Sequence, residues 1–148
     1  MSLYSSTQSA MVGNIGLKPY SPSILIITDN PTSTFRLRQT LENQSCQVHQ
    51  INVNLESLLD AKQKYYDVVV LKVEKLSQKV AKIIQLFKTD GELAALPKVI
   101  LARPGKFFDI TTDFKLPAPV YHLFGTADSE ARLLQIVDQV CYMVHRYI

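Results

Sequence analysis

The sequence predicts an α/β fold, a doubly wound sheet of five parallel strands with helices on both faces. Three observations predict it. Short, continuous apolar runs recur at 24–27 (ILII), 68–71 (VVVL) and 99–102 (VILA), as strands buried on both faces require. The segments between them repeat their apolar residues at intervals of three and four, the period of an amphipathic helix. Strand and helix then alternate along the chain, and right-handed crossovers turn that order into a parallel sheet.

At 148 residues the chain is the size of one domain and can bury about two thirds of its unfolded surface without disulfides or metals. Residues 1–22, rich in Ser, Gly and Pro, read as a flexible leader, and 23–148 as the domain. The first strand begins at Ile24 and stops at Thr28-Asp29-Asn30-Pro31, because Asn-Pro starts a turn. Thr32 or Ser33 can cap a helix to about Asn43, along which Thr34, Leu37, Arg38 and Leu41 keep helical spacing beside Phe35.

CQVHQINV, from Cys46 to Val53, alternates in part and is β-branched, which suits an exposed edge strand. Asn54 can cap the next helix, Leu55 to Lys64, with Leu55, Leu58 and Leu59 as its inward stripe. The central strand, Asp67 to Val73, follows. Beyond it Leu76, Val80, Ile83, Ile84 and Phe87 mark a helix that ends near Asp90-Gly91, and Pro97 introduces the fourth strand, KVILA.

Between Arg103 and Pro119, FFDITTDF has room for about two helical turns. So short a helix cannot bury Phe107, Phe108, Ile110 and Phe114 together, so they are either core filler or apolar surface for a partner. The fifth strand is Val120 to Phe124, and a last helix runs from Ser129 to the end. Leu133, Val137, Val140, Cys141 and Val144 form its inward stripe; Leu134, Ile136, Met143, Tyr147 and Ile148 broaden its apolar face beyond what one sheet surface needs.

Several function classes find no support. No apolar run reaches the length of a membrane span, and two cysteines without metal spacing read as buried, reduced thiols of a cytoplasmic protein. The net charge of +3 is dispersed, which speaks against nucleic-acid binding. His49, His122 and His145 lie on three different elements without ligand spacing, and GxGxxG, GxxxxGK[ST] and GxSxG are all absent. No enzyme, metal or cofactor is indicated.

The order, lengths and strand endings from Ser23 to about Tyr147 resemble the receiver domain of bacterial two-component response regulators, the CheY-like group of flavodoxin-like folds. That resemblance implies the strand order 2-1-3-4-5 and a site at the carboxyl ends of the strands. Receivers end the first strand in two acids that hold Mg²⁺; here Thr28 and Asp29 stand there. Their third strand ends in the aspartate that accepts phosphate, whereas DVVVLK ends in Lys72. The Ser or Thr ending the fourth strand is replaced by Ala102, and the Lys of the Lys-Pro pair after the fifth by Gly125, with Thr126 beside it.

Four of five working positions thus depart from the family. An ammonium at pH 7 is neither nucleophile nor cation ligand, so the expectation is a degenerate receiver-like domain without aspartyl phosphorylation. Asp29 and Lys72 are expected to form an ion pair in place of the metal. The resemblance also implies a protein partner or output domain, or a homodimer, engaged through the helix between the fourth and fifth strands, the fifth strand and the last helix. Phe107, Phe108, Phe114, Tyr121, Ile136, Met143 and Tyr147 are the candidate contact residues. The alternative is a sensor binding a small molecule or anion beside Lys72.

Overall fold

The computed structural model describes residues 21–75, 77–102, 116–124 and 129–146. Five strands, β1 (Ser23–Thr28), β2 (Gln47–Asn52), β3 (Val68–Lys72), β4 (Lys98–Ala102) and β5 (Val120–Phe124), form one parallel sheet in the order β2-β1-β3-β4-β5. The expected architecture and strand order are therefore observed. The β-branched runs of β1 and β3 are buried on both faces, and β2 on the edge is only half-buried, as their patterns require.

Helices α1 (Phe35–Asn43), α2 (Leu55–Ala61), α3 (Gln78–Thr89), α4 (Gly91–Ala95) and α5 (Ser129–Arg146) cover the sheet. Alternation along each strand sends its side chains to two cores. Leu25, Ile27, Val69, Leu71 and Ile100 meet Leu58 of α2, Ile83, Ile84 and Phe87 of α3, and Leu93 of α4. On the other face Ile24, Ile26, Val68, Val70 and Val99 meet Leu37 and Leu41 of α1 and Leu133, Ile136 and Val137 of α5. Each such side chain contributes about 1.5–3 kcal/mol by leaving water.

Ser21 and Pro22, the last two residues of the expected leader, are bonded to the sheet edge: Gln47 N donates to Pro22 O at 2.7 Å and Ser21 Oγ to Ser45 O at 2.6 Å. Residues 1–20 lie outside the described residues. The structure corrects several expectations. A 3₁₀ turn, Pro31–Thr34, precedes α1, and neither Thr32 nor Ser33 caps the helix; Thr34 holds the N-cap position without a side-chain cap bond. Phe35 is 64% exposed. Ser45, at φ 65°, turns the chain from α1 into β2.

Asn54 does cap α2, accepting from Ser57 N at 3.0 Å, but α2 stops at Ala61. Its inward residues are Leu58 and Ala61, and Leu55 and Leu59 are 40% and 42% exposed. At 100° per residue Leu58 and Ala61 lie on one side of the helix and Leu55 and Leu59 are turned away from its centre, so the roll of α2 carries the leucine stripe off the sheet. Asp90 both ends α3 and begins α4, accepting from Glu92 N and Leu93 N at 3.0 and 3.1 Å. The sequence DGEL, read as a stop, is also a start.

Ile136, expected on an outward contact surface, is fully buried against the sheet. At 100° per residue Ile136 and Val137 flank Leu133 on either side within one face, and Leu134 and Val140 pack at the margin of that core. Tyr121 is half-buried against the same core. No helix among the described residues is long and apolar enough to cross a membrane.

Candidate functional site

The carboxyl ends of β1 and β3 are adjacent, with Thr28 and Lys72 paired across the two strands. The turn after β1 and the chain after β3 therefore face each other. Thr28 is buried, and its hydroxyl is engaged locally: Asn30 N donates to Thr28 Oγ1 at 3.1 Å and Oγ1 donates to Asn30 O at 3.2 Å. Such side-chain turns suit Thr before a chain reversal.

Asp29 points across to the chain beyond β3. Its two carboxylate oxygens accept from Glu74 N at 3.0 and 2.9 Å, and Oδ2 also accepts from Lys75 N at 3.2 Å. Asn30 Nδ2 adds a bond to Glu74 Oε2 at 3.3 Å. Lys72 runs the other way: Nζ donates to Ser33 Oγ at 3.0 Å, and Ser33 Oγ donates in turn to Asn30 O at 2.8 Å. Together these bonds clasp residues 29–33 to residues 72–75.

The expected Asp29–Lys72 ion pair is therefore not formed; among the described residues no carboxylate lies within salt-bridge distance of Lys72. Backbone N–H groups compete for the same carboxylate, and a charge-assisted bond to a fixed amide needs no long side chain to be ordered. Thr28 and Lys72 end adjacent strands, and Asp29 follows Thr28 at the same sheet edge. Ala102 ends β4, paired with Phe124, and Gly125 lies outside the described residues, as do Phe107, Phe108, Phe114 and Tyr147. Met143 belongs to α5.

The side chains present do not fit a magnesium ion. Mg²⁺ demands hard oxygen ligands in near-octahedral array. Here the Asp29 carboxylate already accepts three N–H bonds, the Glu74 carboxylate accepts from Asn30 Nδ2, a hydroxyl is closed in its own turn, and an ammonium stands at the end of β3. Among the described residues no group of three or more His, Cys, Asp or Glu could hold a metal ion.

Two titratable residues escaped the sequence reading. Lys98, at the opposite end of the sheet, is 1% exposed, and its Nζ donates to Ala94 O, Leu96 O and Pro117 O at 2.8, 2.7 and 2.9 Å. Burial pushes its ammonium down to about 8. Tyr66 shares a hydrogen bond of 2.6 Å with His49 Nδ1, and burial, with Asp60 nearby, raises its phenol. A lysine opening an apolar strand was the available signal for the first; nothing local announced the second.

The fold is that of response-regulator receiver domains. The receiver domain of a signal transduction histidine kinase from Syntrophus aciditrophicus superposes with a TM-score of 0.69 at 18% identity, over 85% of this chain and 94% of that one. The chemotaxis response regulator CheY4 of Vibrio cholerae gives 0.63 at 15%, over 80% and 99%. The receiver domain of the sensor histidine kinase PA1611 from Pseudomonas aeruginosa PAO1, solved with magnesium coordinated in its active-site cleft, gives 0.61 at 15%, over 81% and 97%. No family model and no curated protein matches the chain in sequence.

Proposed function

We propose that this chain is a receiver-type domain of two-component signal transduction that acts by protein contacts and takes no aspartyl phosphate. The observation that carries the reading is the clasp between residues 29–33 and 72–75. Where a receiver needs a free carboxylate and a bound cation, Lys72 occupies the end of β3 and Asp29 is bonded to the backbone of Glu74 and Lys75. Acyl phosphate formation requires a carboxylate nucleophile, and residue 72 offers none. The domain is then a non-enzymatic module whose output is a surface.

That surface, on this reading, is the end of the sheet at β5 and α5 with the connector before β5, and its occupant is an output domain, a signalling partner or a second copy. Lys72 and Ser33 also set a cation beside a hydroxyl, which favours the second reading, a sensor for a small anion. One titration separates the two. Amide NMR of the whole chain is followed as Mg²⁺ with beryllofluoride is added, then inorganic phosphate and a nucleotide panel, with light scattering for oligomeric state. Unchanged amides at Asp29, Ser33 and Lys72 support the contact module. Saturable shifts with beryllofluoride that require Mg²⁺ overturn it, and shifts with phosphate or a nucleotide alone establish the sensor.

A further inference from the structure

The two leucines that α2 leaves outside the core stand one helical turn apart, at positions 55 and 59, on the same side of the helix. A single exposed leucine is ordinary. This pair borders a cavity of about 360 Å³ between α2 and α3, lined by Asn54, Leu55, Glu56, Leu59, Lys79 and Lys82. Lys79 and Lys82 are three residues apart, so they project from one side of α3, and Lys75 is exposed just before that helix. Neither Lys79 nor Lys82 pairs with a carboxylate among the described residues.

We propose that this groove docks an acidic amphipathic helix of a partner protein. Its apolar side chains enter between Leu55 and Leu59, and its carboxylates meet Lys79 and Lys82, the mode in which a helix lies in a hydrophobic groove. The charge selects the occupant: the wall carries two lysines against one glutamate, Glu56. A basic segment is repelled, and a purely apolar one leaves the two ammonium groups without a partner.

The groove is also held in shape before any partner arrives. Asn54 and Ser77 cap the two helices, and Lys62 bonds Asp90 across from the end of α2 to the end of α3. A preformed site lowers the ordering cost of binding. This surface lies on the face of the sheet opposite α1 and α5, so it stands whatever residue 72 does.

The test uses the whole ¹⁵N-labelled chain and two synthetic helical peptides with the same leucine stripe, one flanked by glutamates and one by lysines. The acidic peptide is expected to shift the amides of residues 54–59 and 79–82 saturably, and the basic peptide is expected to shift none. Lys79→Glu with Lys82→Glu should weaken the acidic peptide at least about tenfold and admit the basic one. Leu59→Ser should weaken it by a similar factor. Equal binding of both peptides, shifts elsewhere, or no saturable shift at all overturns the proposal. So does a single-stranded oligonucleotide that binds these lysines regardless of Leu59→Ser, which marks a polyanion site.

Discussion

The Asp29 carboxylate at the end of β1 receives the backbone N–H of Glu74 on both oxygens, at 3.0 and 2.9 Å. That contact ties the turn after β1 to the chain after β3, where a receiver keeps its carboxylates free for a cation. Asp29→Ala should therefore cost about 1 kcal/mol, at the modest end for bonds to a charged acceptor because the site is exposed. Asp29→Asn should cost less, since its amide oxygen still accepts. Urea unfolding reads the loss, and amide exchange at Glu74 and Lys75 should quicken in Asp29→Ala. Unchanged protection at both amides would show that the chain beyond β3 holds its shape without Asp29.

Lys98 predicts a stability profile in alkali. Its ammonium, which donates to three carbonyls, is pushed down to about 8 from an ordinary 10.5 by burial. The unfolded chain then holds a proton that the folded chain releases between those two values. Stability gained from this group is complete above 10.5 and is lost as the pH falls through about 8. The swing is at most about 3 kcal/mol. Lys98→Met should flatten that rise relative to the parent chain in urea melts from pH 7 to 10.5; parallel profiles would refute it.

Cys46 should be chemically silent in the folded protein. Burial, with Asp138 and Asp67 adding to it, raises its thiol to about 11, and the thiolate is the reactive form. In a Cys141→Ser background, a disulfide reagent at neutral pH should modify Cys46 at the rate of unfolding and react fully once urea is added. Prompt reaction under native conditions would mean that the core around Cys46 opens readily.

Much of the fold was legible because burial on both faces leaves a mark that needs no tertiary information: ILII, VVVL and VILA can be little else. The alternation into helices fixed which strands had to be parallel. What stayed hidden were choices among partners. Asp29 had both a lysine and two backbone amides within reach, and only the path of residues 73–75 decides between them. Ile136 and Leu134 look alike in sequence, yet the roll of α5 about its axis buries the first fully and leaves the second at the margin. Lys98 reads as a strand-opening cation until α4 and Pro117 supply three carbonyls around it.

Restoring an acid at residue 72 tests the chemistry of the site directly. Thr28 and Lys72 are Cα partners across β1 and β3, so Lys72→Asp sets a second carboxylate close to Asp29. Two carboxylates at adjacent strand ends repel each other and attract a hard cation. The variant should therefore melt below the parent chain in chelator and regain stability with MgCl₂. A site filled at roughly tenfold above its Kd returns about 1.4 kcal/mol, or roughly 4–5 °C for a domain of this size. The parent chain and Lys72→Ala should show no response beyond that to NaCl of matched ionic strength. An equal magnesium response in all three would mean that the ion acts elsewhere, and none in Lys72→Asp would mean that the backbone amides of Glu74 and Lys75 hold Asp29 too firmly to release it to a metal.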